Sequence, residues 1–466
     1  MNHSKMLKPT ILSVALLTIM AAAAVSPALA KIGQAFPDVD KTLIKLILTL
    51  PCLVIIPFSL FSGWLAARMS KKKIILIGLV IYIIAGIGAG FAQSITQLLI
   101  IRGIFGIGVG LIMPLSTTLI ASFFDGEERT KMMGLYSSIT SLGGVVFQAI
   151  AGMVAVISWR YSFGVYGLAI ITALLTIFWL PEPPRQKITG KKVKVKLPFG
   201  IYGLAVLSVL LMIAFFAVPT NLALFIESER PLFASERPLF ESRQDLVEHL
   251  ESGTISEKAR NVFKNNGIML SKKAGIEEVE SQKEWNIIDG KHKYIVKKEN
   301  TQLIIYSEGL GRPAIAGYAL SVMTLASAVT GFTVNAIFMC LGAFAAPLGI
   351  LVMAIGFGVL GEASSLWMIF LSMVIIGLGA GAIMPALFLK TQRIVSKNAL
   401  ALSMAIVGSC IYLGQFISPI ALKAIASLAG QDTLRFRFIL IAFGLGIAAL
   451  IAFVNAIYSR KGKKNV

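Results

Sequence analysis

Between Arg312 and Glu362 the sequence runs for 49 residues without a charged side chain. As a single helix that run would be about 74 Å long at roughly 1.5 Å per residue, more than twice the roughly 30 Å hydrocarbon core of a bilayer. It is expected to turn once, near Asn335, and to cross twice. Other apolar runs of similar length recur, giving twelve expected crossings at 10–30, 43–66, 73–92, 97–122, 133–157, 162–180, 199–226, 313–335, 338–360, 366–389, 399–421 and 437–458. Only 14% of residues are charged and the mean hydropathy is +0.81, whereas soluble domains carry about a quarter charged residues. Lipid is the solvent these segments require, and a soluble reading of 466 residues as two or three domains is excluded.

The first run resembles a secretory leader, with Lys5 and Lys8 before it and the small-residue stretch Ser26-Pro27-Ala28-Leu29-Ala30 after it. It is read as a retained helix, because twelve crossings with both termini on one side require it. Cys52, Cys340 and Cys410 are scattered within apolar runs, which argues against a disulfide frame and against a metal site. His3, His249 and His292 lie outside the runs, so no intramembrane histidine relay is available.

A net charge of +20 raises the question of nucleic acid, and the distribution of the charge answers it. The stretch 227–312 holds 15 of the 23 acidic and 14 of the 43 basic residues, leaving 8 and 29 for the apolar body. Of those 29, 21 fall at the N-terminus, the C-terminus and the connections after even-numbered crossings, and seven on the other side. Arg102 sits within a crossing. Basic loops stay cytoplasmic, so both termini are expected there, in a multi-pass plasma (inner) membrane protein. The lysine runs, such as 185–196, then serve as topology anchors near acidic headgroups, and no nucleic-acid partner is expected.

Gly106-Ile-Gly-Val-Gly-Leu-Ile-Met-Pro114 recurs as Gly377-Leu-Gly-Ala-Gly-Ala-Ile-Met-Pro385, identical at six of nine positions with an offset of 271. The same offset takes Leu142-Gly143 to Leu413-Gly414. Duplicated six-helix halves are a common build of secondary transporters. The expected fold is an all-α membrane protein of twelve transmembrane helices in two six-helix pseudo-symmetric bundles, with a small α+β insertion between helices 7 and 8.

Three further stretches carry a specific likeness. Gly63-Trp-Leu-Ala-Ala-Arg68-Met-Ser-Lys71-Lys72-Lys73 resembles a Gly-x-Leu-Ala-Asp-Arg-x-Gly-Arg-Lys motif between helices 2 and 3. Arg102-Gly-Ile-Phe-Gly106-Ile-Gly108 resembles a fourth-helix motif with a membrane arginine, and Ser158-Trp159-Arg160-Tyr161-Ser162-Phe163 a Trp-Arg element before helix 6. Through these the chain resembles the major facilitator superfamily, in its twelve-helix drug/proton antiporter-like branch, over nearly its whole length except about 228–308. The resemblance implies a transporter rather than an enzyme, and a gating role for Gly63, Arg68, Lys71 and Lys72. Three departures stand against antiport. Ala67 replaces the motif aspartate, which the family uses for inter-helix charge pairing, and Ser70 replaces its glycine. The fifth-helix Gly-x-x-x-Gly-Pro-x-x-Gly-Gly pattern is largely lost in 143–152. The connection after the eighth crossing lacks the family's basic residues.

Arg102 is a costly intramembrane charge, expected either to contact substrate or couple to protons, or else to bond main-chain carbonyls of neighbouring helices. Ser137, Ser141, Gly144 and Gln148 share one helical face, and the offset maps them onto Gly408, Tyr412, Gln415 and Pro419. Gln148, Tyr412 and Gln415 are therefore candidates to line a cavity, with small-residue helix packing as the alternative. Asn221 and Asn335 are weaker candidates. Asp38, Glu227, Glu362 and Asp432 lie near the outer ends, and no carboxylate is deep in a crossing, which favours uniport, a neutral or anionic substrate, or peripheral coupling. No nucleotide motif occurs, and no cofactor is expected.

The expected domains are 1–184, a cytoplasmic linker at 185–198, a second bundle from 199–227 and 309–466, and an extracytoplasmic insertion at 228–308. The insertion opens on a tandem Ser-Glu-Arg-Pro-Leu-Phe repeat at 228 and 235. Ser242-x-x-Asp245 and Thr254-x-x-Glu257 read as helix starts, with Gly253 and Gly267 as their ends. Residues 285–288 and 294–296 read as a hairpin and 302–306 as a third strand. The insertion is read as a tolerated passenger, with a partner-binding module or a cover over the outer mouth as the alternative. The functional expectation is a secondary active transporter moving a small organic solute by alternating access, with proton-coupled efflux as one form. An uptake carrier for a neutral or anionic metabolite, and a transport-dead receptor or sensor, are the alternatives. The expected partners are a small-molecule substrate, the lipid bilayer and, for a coupled form, protons, around a monomer.

Overall fold

The computed structural model describes residues 6–66, 68–182, 197–227, 230–235, 255, 257–265, 270, 274–278, 284–289, 292–299, 302–307, 311, 313–395, 400–431 and 433–462. Among these described residues, twelve helices are long and apolar enough to cross a membrane. They are α1 (Leu7–Ala35), α2 (Lys41–Ala66), α3 (Lys71–Phe91), α4 (Ile95–Phe123), α5 (Gly126–Ile157) and α6 (Trp159–Trp179). After the connection come α7 (Gly200–Glu227), α8 (Pro313–Leu341), α9 (Ala345–Gly361), α10 (Leu366–Ile394), α11 (Leu400–Leu428) and α12 (Leu434–Gly462). The linker at 185–198 lies largely outside the described residues.

Local chemistry sets several boundaries. Ser70 and Ser94 cap α3 and α4, their hydroxyls accepting the N–H groups of Lys73 at 3.3 Å and Gln97 at 3.2 Å. The stretch Ser26–Ala28, which resembles a cleavage site, is a buried 3-10 turn within α1. The division of the 49-residue run falls later than Asn335. The helix continues to Leu341 and turns at Gly342–Phe344, where Gly342 adopts φ +55°. Glycine reaches that left-handed region without steric cost, whereas the backbone at Asn335 continues the helix.

The sequence repeat is also a repeat of contacts. A Cβ on Gly108 would stand 2.9 Å from the Gly78 carbonyl on α3, and a Cβ on Gly379 would stand 2.6 Å from the Gly349 carbonyl on α9. Gly106 closes likewise on the Pro51 carbonyl of α2 at 2.9 Å, and Gly377 on the Met323 carbonyl of α8 at 2.3 Å. Residues 78 and 349, like 108 and 379, are related by the offset of 271. The far ends of α3 and α9 repeat as well. Arg160 donates to the carbonyls of Gly90 (2.9 Å) and Ala92 (2.7 Å), and Arg435 to those of Gly361 (3.1 Å) and Ala363 (2.8 Å). A guanidinium there satisfies carbonyls left over at the helix end and complements its dipole.

Residues 225–312 form a separate compact unit. Its sheet has the order β1-β5-β4-β3-β2, with all neighbours antiparallel: β1 (Arg230–Ser235), β2 (Gly275–Glu278), β3 (Glu284–Asp289), β4 (His292–Glu299) and β5 (Gln302–Ser307). The expected hairpin and third strand are β3, β4 and β5. Two strands, β1 and β2, escaped the sequence reading, because β1 carries a proline and β2 is only four residues long. A helix occupies Glu257–Asn265 and includes the expected glutamate of its first turn. The expected helix start at Ser242, and Thr254, Gly253 and Gly267, lie outside the described residues.

Candidate functional site

Tyr412 and Gln415 are three residues apart on α11 and share a face. The Tyr412 hydroxyl donates to the Met113 thioether on α4 at 2.7 Å. Gln415 Oε1 accepts from the Cys52 thiol on α2 at 3.2 Å, and its Nε2 approaches the Met212 sulfur on α7 at 3.7 Å. Tyr412, Gln415 and Met113 lie at intermediate depth, and Cys52 and Met212 are buried. Met113 and its repeat partner Met384 both belong to the Gly-x-Gly-x-Gly-x-Ile-Met-Pro element. Met384 lines a cavity of about 60 Å³, together with Leu211, Met212, Phe215, Met353 and Ile383. The methionines of the repeat thus approach the site from both halves, and sequence reasoning missed them. Their signal was an identical Met-Pro pair at the end of both glycine runs.

Gln148 lies elsewhere, on the seam between α5 and α8. There it accepts from Thr324 at 3.0 Å, next to a bond from Ser321 to the Val145 carbonyl at 2.7 Å. The structure therefore brings Tyr412 and Gln415 together and leaves Gln148 on a different seam. Asn221 is buried in α7 and donates to the Ala217 carbonyl at 2.8 Å.

The α5–α8 seam is tight toward one end and open toward the other. A Cβ on Gly317 would stand 2.4 Å from the Gln148 carbonyl, and one on Gly152 would stand 3.0 Å from the Gly317 Cα. Gly134 precedes Gly152 by five turns at 3.6 residues per turn, so it lies on the same face of α5. Gly331 follows Gly317 by about four turns on α8. Neither Gly134 nor Gly331 has any atom within 4 Å of where a Cβ would be. The helices diverge toward the end that carries the chain termini.

Two further bonds across the halves lie toward the opposite end. The Ser26 hydroxyl of α1 donates to the Pro219 carbonyl of α7 at 2.5 Å, and Lys423 of α11 meets Asp40, before α2, at 2.5 Å. Asp40 also accepts the Thr42 N–H at 2.7 Å, capping α2. Lys423 first, and then Thr42, hold the Asp40 carboxyl well below the usual carboxylate range. Sequence reasoning placed Lys423 among the outer basic residues and passed over Asp40, because its partner is 383 positions away.

Arg102 is fully buried within the N-terminal half. It donates to the carbonyls of Ile47 (2.9 Å) and Ala21 (3.1 Å) and to the Tyr166 hydroxyl (3.1 Å), and it stacks over the Phe105 ring. Tyr166 in turn donates to the Ala21 carbonyl at 3.0 Å. These bonds tie α1, α2, α4 and α6 together. Two other cations lie deeper than their loop assignment implied: Lys45 is 1% exposed and Arg437 6%. Each follows the start of its helix by about one turn, so it points along the packed face rather than into a loop.

The residues between α2 and α3 also stay within their own half. Arg68 is exposed and stacks on Trp64 at 3.8 Å, and Gly63 is exposed beside it. Lys71 donates to Ser122 of α4 at 3.0 Å, and Lys72 to the Ile177 carbonyl of α6 at 2.8 Å. Glu182 accepts from the Ser70 hydroxyl and, at 3.0 Å, from the Lys71 N–H. This carboxylate, which follows α6, covers the start of α3; Ala67 lies outside the described residues.

A family model of the Major Facilitator Superfamily matches residues 11–235. The nucleoside transporter NupG superposes with a TM-score of 0.64 at 11% identity, covering 97% of this chain and 99% of that one. Over residues 11–235 the chain matches the major facilitator superfamily. Among curated members of this superfamily, it is 28% identical to the arabinose-proton symporter of Escherichia coli K12 over 128 residues, 27% of each chain. It is 30% identical to the quinolone resistance protein NorA of Staphylococcus aureus over 131 residues, 28% of this chain and 34% of that one. The matched stretches thus span about a third or less of these curated relatives. Superfamily members are transporters rather than enzymes, and the twelve spans make this one a multi-pass membrane protein.

Proposed function

We propose that the protein moves a small organic solute across the membrane by alternating access. The observation that carries this reading is the divergence of α5 and α8: Gly152 and Gly317 are jammed together at one end, while the same faces stand free at Gly134 and Gly331. A cleft between two rigid halves, closed at one mouth, is what a rocking carrier presents in one of its states. The basic-loop asymmetry supports assigning the open mouth to the cytoplasm. In this reading Tyr412 and Gln415 face the solute, Arg102 braces the N-terminal half, and the Asp40–Lys423 pair latches the outer mouth. Gly63, Arg68, Lys71 and Lys72 act through the inner ends of α2 and α3, and Gln148 sets the α5–α8 seam.

The test uses reconstituted proteoliposomes offered arabinose, a nucleoside and a quinolone, the classes named for the relatives, with and without a pH gradient. Flux of at least one is expected. Tethering Asp40→Cys to Lys423→Cys with a short methanethiosulfonate cross-linker should abolish that flux, and reduction should restore it. Flux that persists across the tether would contradict the rocking mechanism.

A further inference from the structure

We infer that the midplane site takes an uncharged, largely apolar solute carrying one hydrogen-bonding group that both accepts and donates, held by Tyr412 and Gln415 of α11. The inference rests on the alternating-access reading and names the chemistry of its substrate.

The first observation is what these two side chains bond in the closed-outside state. A phenol and an amide are strong hydrogen-bonding groups, yet each is matched to sulfur. Tyr412 donates to the Met113 thioether, Gln415 Oε1 accepts from the Cys52 thiol, and Gln415 Nε2 reaches the Met212 thioether. Thioether is a weak acceptor and thiol a weak donor. An oxygen or N–H group on a solute would replace both kinds of bond with stronger ones, and no strong protein bond has to be broken first. Ser418 differs: its hydroxyl donates to the Ile213 carbonyl at 2.7 Å and is already well satisfied.

The second observation is the neighbouring cavity. Met212, which touches Gln415, is also part of the wall of the roughly 60 Å³ cavity, whose other walls are leucine, phenylalanine, isoleucine, alanine and methionine, with Ser327. At about 60 Å³ the cavity is smaller than the about 300–1,000 Å³ of small-molecule sites, so it seats one part of a solute in this state. Methionine and aromatic walls accommodate flat and branched apolar bodies alike. A solute can seat its apolar part here while its polar end meets α11.

The third observation is charge. No aspartate or glutamate occurs in the sequence between Arg129 and Leu180 or between Arg312 and Gly361, and the acids of the other spans sit at their ends. An ammonium group at the midplane would be desolvated without a counter-charge. Arg102, the cation of α4, has its donors directed to Ile47, Ala21 and Tyr166 and is fully buried away from the cleft, so it offers nothing to a carboxylate. A net charge of either sign on the solute is therefore opposed by desolvation.

The bonds also suggest how binding drives motion. Tyr412 to Met113 and Gln415 to Cys52 both cross between the halves. A solute that takes over these groups removes the midplane ties and bridges the halves itself.

The experiment uses the full chain in lipid nanodiscs and three probes on one scaffold: dansylamide (neutral, with sulfonyl acceptors and an N–H donor), dansylcadaverine (cationic) and dansylglycine (anionic). Binding is read by fluorescence after subtraction of empty nanodiscs. Dansylamide should bind at least tenfold more tightly than either charged probe. Gln415→Leu and Tyr412→Phe should each weaken dansylamide by about three- to tenfold, the loss expected for one hydrogen bond. Neither should change binding of 1-dimethylaminonaphthalene, which lacks the sulfonamide. Tightest binding of a charged probe overturns the substrate class and leaves alternating access standing. Equal loss of dansylamide and dimethylaminonaphthalene in both variants overturns the role of the two side chains, as does the absence of any dansylamide binding. The tether experiment tests the rocking mechanism without a dansyl probe, so the two failures are told apart.

Discussion

Replacing Asp40 with asparagine should open the outer mouth by a small, calculable amount. Asp40 performs two tasks, one across the halves to Lys423 and one local, capping α2 through Thr42. Only the first differs between open and closed states, because the cap travels with its own helix. The side chains are 49% and 39% exposed, so the pair carries the roughly 0.2–1 kcal/mol of a solvated ion pair rather than the much larger energy its short distance implies. The closed-to-open ratio should fall by no more than about fivefold in Asp40→Asn. Lys423→Gln should have the same effect, and the double variant should do no more than either single one. Asp40→Ala should match Asp40→Asn in this ratio but lower the Tm further, since it also loses a cap worth about 1 kcal/mol. Double electron–electron resonance between nitroxides at Gln93→Cys and Gln431→Cys, with Cys340→Ser and Cys410→Ser, reads the ratio directly. The pH dependence has a definite sign. A carboxylate with a lowered pKa contributes above the ordinary value of about 3.9 and loses that contribution as pH falls through its own lower value. The ratio should therefore be flat from pH 8 to pH 5. A double variant whose shift is the sum of two singles, or an Asp40→Asn ratio equal to wild type, would refute the latch.

Glycine substitutions should separate seams that move from seams that do not. Gly317→Ala, whose Cβ would meet the Gln148 carbonyl at 2.4 Å, should favour the outward-open distance by the about 1–3 kcal/mol of an overpacked contact. Gly381→Ala, equally tight against the Ser327 carbonyl at 2.3 Å but inside one half, should lower the Tm and leave the distance distribution unchanged. Arg102→Met should lower the Tm markedly, because it leaves the Ala21 and Ile47 carbonyls buried without that donor, at about 1–3 kcal/mol each. Arg102→Lys should recover only part of that loss, since an ammonium cannot reproduce the planar fork. Exchanging 228–308 for a short glycine-serine linker should leave the Tm of the helical body unchanged in differential scanning fluorimetry.

Much of the fold was legible because lipid imposes one requirement on every span. Twenty apolar residues in a row have few soluble uses, so α2, α3, α4 and α6 could be read within a few residues of their ends, whereas α5 starts at Gly126, seven residues before the expected 133, because its first two turns carry charge. The repeated glycines were legible as a duplication, and Gly78–Gly108 with Gly349–Gly379 shows the physical reason: at these crossings a Cβ would displace main chain. The turn after α8 was misplaced because its signal is a single glycine, Gly342, among many glycines that lie inside helices. Candidate site residues could be named where they formed a stripe, as Tyr412 and Gln415 do on α11. Periodicity names a face and not a partner, so Met113, Cys52 and Met212 were invisible, as was Glu182 under α3. The latch escaped for the same reason: Asp40 and Lys423 are ordinary loop-side charges until the fold brings α2 beside α11.

The most direct test of the alternating cleft is side-specific alkylation of Ser327→Cys, a position on the cavity wall, with Cys52→Ser, Cys340→Ser and Cys410→Ser. A membrane-impermeant maleimide is added to right-side-out and to inside-out vesicles, and the initial rates are compared. The cysteine should react at least tenfold faster from the face that carries the termini, and Asp40→Asn should raise the rate from the other face. Equal rates from both faces, or faster reaction from the face opposite the termini, would contradict a cleft closed by α1–α2 and α11 and open between the inner ends of α5 and α8.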